Sequence, residues 1–555
     1  MIYVYITKEL KPFETDIRDL CLAFFTLQKI TYIFEDDIRA DIGDNKNIVE
    51  ASKNIVGASS ASPIDSDIIV KDYYSGTFSA DRLTVKSEVK RQLYDYLSKL
   101  TGKKLLWGTL TGIRPVNIVT SILEERARET RPYGYNARPY DEERHNRKPV
   151  AASYMSGKNI KDVMGLSPIT EINNPIYKEN EVIKEYLKKE YYISDEKAFE
   201  LIKIARNEIK ILNRPEIRNF KDSYSVYVGV PFCKSTCLYC SFTSFNIEKF
   251  GKYVDKYLDT IERDFNSRIG KIVGKRALQA FAHTNTASTS TDKLQPLTLY
   301  IGGGTPTSLD ENAFERLLSI IDKYVDRSKC IEYTVEAGRP DTITKEKLLI
   351  MKRHGVSRIS INPQSFNQKT LDLIGRKHTV KDVVEKFKLA RELGFDNINM
   401  DIILGLPNEH LFDVLKTLNG VRKLKLDSFT VHSLALKRAA RLNFELDEWT
   451  RNYYLAGVGK REIDSMFKWS ERLAEHLKLK PYYLYRQKNI AGNLENVGYA
   501  KEGKECIYNI MMMSERHSVY GFGTATTKEV FYENGGKRIE SEEGYKSVID
   551  YCERV

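Results

Sequence analysis

The sequence predicts an α/β protein: an open, six-unit (β/α)6 partial barrel, preceded by an α+β N-terminal domain and followed by a mainly helical C-terminal region. Three observations predict it. Between residues 221 and 435, six short apolar, β-rich runs alternate with helical patterns, the mark of parallel strands joined by crossover helices. Three cysteines, Cys233, Cys237 and Cys240, follow the first run in Cys-x3-Cys-x2-Cys spacing. Glycines, carboxylates and an amide follow the later runs in turn, where sheets of this kind place their sites. Six units fall short of the eight of a closed barrel, so the sheet is expected to stay open.

The elements follow in order. A chain of 555 residues is too long for one ordinary core. Residues 1–170 read as the α+β domain, with a β-rich run at 1–6 and apolar residues at helical spacing over 17–25 and 85–100. Residues 105–115 hold Trp107, two glycines and Arg114 before a proline. That combination predicts a fixed turn with an aromatic anchor, which either packs the domain or offers Arg114 to a carboxylate. Residues 129–160 mix arginine, tyrosine and proline and read as a mobile, solvated insertion, with RNA binding as the alternative. Residues 171–220 read as a helical linker.

The strand runs of the core domain, 221–435, are 224–230, 297–301, 331–335, 357–361, 397–404 and 428–431. Helical patterns occupy 250–269, 311–324, 345–354, 380–393 and 410–424. The polar run 284–291 reads as a surface loop. The C-terminal region, 436–555, is expected to shape a substrate pocket. Leu455, Met466, Phe467, Trp469 and Leu473 suggest its helices, and residues 518–528 a glycine-rich turn. His432 and His517 read as structural residues, with polar contacts as the alternative.

Composition narrows the class. A hydrophobic share of 41% and a charged share of 29% fit a soluble globular chain. No apolar run is long enough to span a bilayer, and the first residues lack the order of a signal peptide, so a cytoplasmic protein is expected. Seven cysteines, an odd number with four scattered (Cys21, Cys330, Cys506, Cys552), argue against a disulfide framework. Lys and Arg number 87 against 76 acidic residues, a net charge of +11. That excess suits nucleic acid, a membrane surface or a polycarboxylate substrate without choosing among them.

The chemistry starts at the cysteines. Thiolates are the usual ligands of iron–sulfur clusters. Three of them leave one iron of a [4Fe–4S] cubane open to a small molecule, much as a catalytic zinc keeps an open position. The alternatives are a zinc site or three buried structural cysteines. Zinc asks for a fourth ligand, and the nearest downstream histidine is His283. Gly302, Gly303, Gly304 and Thr305 follow the second strand, and consecutive glycines let a backbone approach a ligand. They lack the order of a nucleotide phosphate loop. Glu336 ends the third strand, Gln364 follows the fourth with Arg376 beyond it, and Asp401 lies in the fifth. Any one alone is as readily a satisfied strand-end group; all of them after successive strands point to one site.

Together these residues resemble the radical S-adenosylmethionine (SAM) enzymes. More narrowly, they resemble the oxygen-independent coproporphyrinogen III oxidase family, which includes coproporphyrinogen dehydrogenases and heme chaperones. The resemblance covers residues 221–500, and stretches 107–115, 429–435 and 481–489 are similar to its Z-type dehydrogenase branch. It implies that Cys233, Cys237 and Cys240 hold a [4Fe–4S] cluster whose open iron is chelated by SAM. Gly303, Gly304 and Thr305 would present backbone to SAM. Glu336, Gln364, Arg376 and Asp401 would contact its methionine or ribose portions, and Tyr227 would approach the same ligand. Glu336 and Tyr227 are the implied catalytic residues. The implied reaction is oxidative decarboxylation of coproporphyrinogen III to protoporphyrinogen IX, with an electron donor and an acceptor as partners. The alternative is a chaperone that binds heme; nucleic acid ranks last. Candidate partners for the substrate carboxylates are Lys437, Arg438, Arg441, Arg486 and Lys488. The chain departs from well-characterised oxidases of the family at two positions. Phe242 replaces a fourth cysteine, a variant the heme chaperones share, and Gly229 replaces a histidine.

Overall fold

The computed structural model describes residues 2–25, 30–35, 68–76, 82–112, 114–129, 175–218, 220, 223–242, 244–283, 294–435, 440–445, 458–486, 495–533 and 536–553. The chain divides into two compact units. One contains Met1–Lys203, the other Ile204–Arg486 and Ile490–Val555.

In the first unit, β1 (Ile2–Ile6), β2 (Ile30–Phe34) and β3 (Ile68–Val70) form a parallel sheet in the order β2-β1-β3. Helix α1 (Glu14–Phe24) buries Ile17, Leu20, Cys21 and Phe24. Helix α2 (Arg82–Thr101) buries Val85, Val89, Leu93 and Leu97, one residue per turn. Both faces join Val4 and Ile6 in one core. Helices α3 (Val116–Glu129) and α4 (Pro175–Tyr191) follow, and the division between the units falls within α5 (Asp195–Leu212). The predicted aromatic turn is a packing device inside this unit. Trp107 is fully buried, and Thr109 N–H donates to Tyr191 O at 2.7 Å. Gly108 has φ +51°, and a Cβ there would lie 2.0 Å from Tyr191 O, so only glycine fits. Residues 130–160 of the expected insertion and the run 284–291 lie outside the described residues.

The second unit is built on one sheet. Its strands are β4 (Ser223–Val230), β5 (Gln295–Gly303), β6 (Glu332–Gly338), β7 (Arg358–Ile361), β8 (Ile398–Leu404), β9 (Ser428–Ser433), β10 (Lys480–Tyr485), β11 (Asn496–Ala500), β12 (Ser518–Gly523), β13 (Thr527–Glu533) and β14 (Gly536–Glu542). Their order is β10-β11-β9-β8-β7-β6-β5-β4-β12-β13-β14. The six expected strands, β4 to β9, lie side by side in sequence order, all parallel. The helices between them are α6 (Val254–His283), α7 (Glu311–Tyr324), α8 (Lys345–Arg353), α9 (Val380–Glu392) and α10 (Leu411–Leu424). Asp310, Thr344 and Thr379 cap α7, α8 and α9 with side-chain oxygens.

The C-terminal region differs from the mainly helical expectation. It supplies α11 (Val458–His476), α12 (Ile507–Ser514) and α13 (Val548–Glu553), but also five strands. β11 and β10 extend the sheet antiparallel beyond β9, and β12 lies parallel beside β4 before the β13–β14 hairpin. Tyr482, Tyr483 and Tyr485, then Val497 and Tyr499, then Val519, Tyr520 and Phe522 carry the β-rich, aromatic composition of strands. The helical spacing of residues 455–473 is the louder signal, and it masked them.

The two faces of this sheet are unlike. Registered across the strands, Val228, Ile301, Val335, Ile359, Ile398 and Met400 share an apolar face, on which α6 stacks Phe265 against Phe522. The opposite face carries Ser225, Thr298, Glu332, Thr334, Arg358, Ser360, Asn399, Ser428 and Thr430, all buried. Most of these polar groups satisfy one another, though the buried Arg358 Nε has no partner. Ser225 and Thr298 hydroxyls meet at 2.6 Å, Asn399 Nδ2 donates to Ser360 Oγ at 2.9 Å, and Ser428 Oγ donates to Asn399 Oδ1 at 3.1 Å. Helix α12 lies against the lower end of this face: Ile507 N–H donates to the Glu332 carboxylate, and the Tyr508 ring stacks on Tyr300 at 4.5 Å.

Candidate active site at the strand ends

After β4 the chain turns at Pro231 and enters the loop of the three cysteines. The loop is pinned on every side. Gly304 N–H donates to Val230 O at 2.7 Å and Thr305 N–H to Phe232 O at 2.8 Å. Leu238 N–H donates to Ile374 O at 3.0 Å, and Leu442 N–H to Leu238 O at 2.8 Å. The buried Arg339 guanidinium reaches Ser235 O at 3.0 Å and Ser235 Oγ at 2.7 Å. Cys233 Sγ lies 3.4 Å from Thr305 Oγ1. A Cβ on Gly304 would sit 2.7 Å from Phe232 O, so the glycine run and the cysteine loop form one wall that no side chain can enter. Gly303 has φ +105°, a conformation that glycine alone adopts without strain.

Burial pushes the Cys233 thiol up to about 11 and raises Cys240 as well. A coordinating metal would deprotonate both outright. Among the described residues no three His, Cys, Asp or Glu converge on a single ion. A cubane makes no such demand, because each thiolate binds its own iron. Three thiols in one rigid loop therefore fit a [4Fe–4S] cluster.

Across from the loop lie the other expected residues. Tyr227 and Tyr300 are neighbours on β4 and β5, their rings stacked at 5.7 Å. Tyr300 O–H donates to Glu336 Oε1 at 2.7 Å. Burial, with the Asp401 charge nearby, raises the Glu336 carboxyl to about 7. A Cβ on Gly302 would lie 2.9 Å from Glu336 Cδ, so the glycine leaves that carboxyl its space. Gln364 has φ +66° and bridges to β8, its N–H on Asp401 O and its O accepting from Ile403 N–H, both at 3.0 Å. Its buried Oε1 has no partner. Arg376 is buried; Nη1 donates to Asn362 O at 2.8 Å and Nη2 to Tyr239 Oη at 3.2 Å, while Nε has no partner. Asp401 accepts from Asn399 Nδ2 at 2.8 Å. Although burial works against it, His432 and Asn399 hold the Asp401 carboxyl below its usual range. The orphaned Gln364 and Arg376 atoms and the glycine wall form a polar cradle beside the thiols.

Several residues of this cradle escaped sequence reasoning. Arg339 and Tyr239 brace the loop. Asn362 takes the Arg376 guanidinium on its O and the Asp401 N–H on its Oδ1. His378 is fully buried with no partner on either ring nitrogen, and burial and Arg376 push it down to about 4. The alternation of small polar residues in β4 to β9 was the available signal for the polar face; for Arg339 and His378 there was none. Of the basic candidates, Lys437, Arg438 and Lys488 lie outside the described residues, Arg441 is exposed, and Arg486 is buried. Phe242, two positions past Cys240, is 72% exposed. At Gly229 a Cβ would come 3.1 Å from the Thr524 backbone and 3.2 Å from Ala525 Cβ, so there is little room for the histidine of the well-characterised oxidases.

Residues 227–420 match the Radical SAM superfamily: the chain carries a radical SAM domain, whose cofactors are a [4Fe–4S] cluster and SAM. The chain is also similar to curated proteins. It is 38% identical over 353 residues to the oxygen-independent coproporphyrinogen-III oxidase-like protein HemZ of Bacillus subtilis, covering 63% of this chain and 65% of that one. It is 36% identical over 214 residues to the heme chaperone HemW of the same organism, covering 38% of this chain and 51% of that one. Among solved structures, coproporphyrinogen III oxidase HemN of Escherichia coli aligns with a TM-score of 0.44 at 19% identity, over 56% of this chain and 68% of that one. The matched parts thus span between half and two thirds of the two curated relatives. No helix among the described residues is long and apolar enough to cross a membrane.

Proposed function

We propose that this chain is a radical SAM oxidoreductase that oxidatively decarboxylates propionate side chains of a porphyrinogen, converting coproporphyrinogen III to protoporphyrinogen IX. The observation that carries this reading is the three-cysteine loop facing a cradle of Glu336, Gln364, Arg376 and Asp401 on a radical SAM domain similar to HemZ. When bound, the cluster and SAM supply a 5′-deoxyadenosyl radical by one-electron reductive cleavage.

The protein's part is binding, orientation and exclusion of water. Cys233, Cys237 and Cys240 hold the cluster. Gly303, Gly304 and Thr305 offer backbone to the methionine end of SAM. Glu336, steadied by Tyr300, would accept from its ammonium as a carboxylate, with the Glu336 proton released to solvent. Arg376 and Gln364 turn toward its polar groups with the atoms that lack partners. Asp401 accepts from the ribose hydroxyls. The Tyr227 ring walls the reacting centre, and the buried surroundings limit quenching of a radical by solvent. On the substrate, one hydrogen atom leaves the propionate carbon next to the ring, CO2 departs, and one electron passes to a one-electron acceptor, leaving a vinyl group.

The test is anaerobic. Reconstituted protein reduced with one equivalent of dithionite, SAM, coproporphyrinogen III and an added one-electron acceptor are expected to give protoporphyrinogen IX and 5′-deoxyadenosine in fixed proportion, read by chromatography with fluorescence detection. SAM cleavage with the tetrapyrrole untouched refutes decarboxylation. A second reading, a heme-binding chaperone, is favoured by Phe242 in place of a fourth cysteine and by the similarity to HemW. It requires stoichiometric heme binding in a spectral titration, and a flat titration removes it.

A further inference from the structure

A relay of two polar side chains, Tyr485 and His432, reaches Asp401 from strands β10 and β9. Tyr485 ends β10, and its hydroxyl lies 3.2 Å from His432 Nδ1. His432, on β9, places Nε2 at 3.8 Å from Asp401 Oδ2. The other carboxylate oxygen, Oδ1, accepts from Asn399 Nδ2. Asp401 Oδ1 is thus held by the sheet's buried polar face, while Oδ2 faces the imidazole just beyond hydrogen-bond distance. A phenol that donates to Nδ1 leaves the imidazole proton on Nε2, where it faces the carboxylate. The pair is partly open: the His432 and Asp401 side chains are 25% and 22% exposed, while Asn399 and Ser428 on the same face are sealed. A buried histidine serving only the fold looks different here; His517 is enclosed and bonded to the Phe220 backbone.

We propose that His432, oriented by Tyr485, is a positioning residue for Asp401, fixing its carboxylate to receive the vicinal diol of the SAM ribose. Strand β10 of the C-terminal region thereby takes part in cofactor binding. This rests on the reading of the strand-end cradle as the SAM site.

The test measures equilibrium binding of S-adenosylhomocysteine, and of its 2′,3′-dideoxy analogue, to the full-length reconstituted protein. His432→Leu is expected to weaken S-adenosylhomocysteine about tenfold, and Tyr485→Phe about threefold. His432→Gln, which can return an N–H toward Asp401, recovers most of the loss. None of the three changes binding of the dideoxy analogue. In the Asp401→Asn background His432→Leu costs nothing further, since the pair acts as a unit. Equal losses for both ligands, or full additivity with Asp401→Asn, overturn the proposal and leave the SAM site standing. If Asp401→Asn itself leaves S-adenosylhomocysteine binding unchanged, the assignment of the ribose site to Asp401 fails first and takes this proposal with it.

Discussion

The two faces of the central sheet are both buried, yet only one is apolar. Parallel strands enclosed on both sides usually read as continuous runs of Val, Ile and Leu. Here β4 to β9 alternate, with Val226, Ile301 and Val335 to one side and Ser225, Thr298 and Thr334 to the other. The apolar face is held by burial against helices. The polar face is held by mutual hydrogen bonds, a weaker net source of stability that requires every donor to find an acceptor. Such a face is a poor way to stabilise a sheet and a good way to present a floor of fixed dipoles to charged ligands. The fold is therefore expected to fail through one face and the chemistry through the other.

The sharpest break is a charge on the apolar face. Ile301→Asp places an unpaired carboxylate among Val228, Val335 and their helices, costing more than about 4 kcal/mol, and soluble expression with native circular dichroism should be lost. Cys237→Ala sits beside the polar cradle and acts oppositely. It leaves the melting curve of the cluster-free protein within about 1 kcal/mol and abolishes SAM cleavage. Arg358→Met strips a guanidinium from the polar face, where its Nη2 meets Ser428 Oγ at 3.5 Å. It should cost about 1–3 kcal/mol in a denaturant titration, because Ser428 and the nearby Glu332 lose a buried cationic neighbour.

The next effect is a pH dependence. Glu336 and Glu409 are both raised by burial to about 7 from a usual 4.5. The folded, ligand-free protein keeps protons there that the unfolded chain has released. Their contribution to stability is full below about pH 4.5, is lost as pH rises through 7, and is level above it. Thermal unfolding across that window is expected to show the loss, and Glu336→Gln should remove its own share. A flat profile would mean that Glu336 is ionised in the empty site. The smallest effect closes the series. Replacing Ser225 by Ala and Thr298 by Val together should change stability by less than about 1 kcal/mol, whereas each alone leaves a hydroxyl unpaired and costs more.

What was legible in the sequence divides along similar lines. The strands β4 to β9 and the cysteine spacing are local patterns, readable within a few residues, and the structure places the six strands in the expected order. Glu336, Gln364, Arg376 and Asp401 could be proposed as one site because the rule that sites follow strand ends converts position in sequence into position in space. The rest depends on partners far away in the chain. Arg339 matters because Ser235 lies beside it, His378 because Arg376 and Asp341 surround it, and neither fact leaves a local trace. The five C-terminal strands were missed for the same reason: a short β-rich run becomes a strand only when an edge is available. Tyr224 supplies one for Ser518, and no window of sequence contains both.

That last pairing bears on how the protein is made. β12 lies in register beside β4, from Ser518 against Tyr224 to Gly523 against Gly229, so the strand that carries the cysteine loop gains its second neighbour only after most of the chain has left the ribosome. Contacts of such long sequence separation form slowly, since loop closure must precede any gain from pairing. Until β12 docks, one edge of β4 is open, and such edges invite pairing with other chains. Completion of the sheet thus falls on the stretch of polypeptide that leads directly into the cysteine loop. Overproduction without matched iron and sulfide supply should yield aggregates nucleated at that edge.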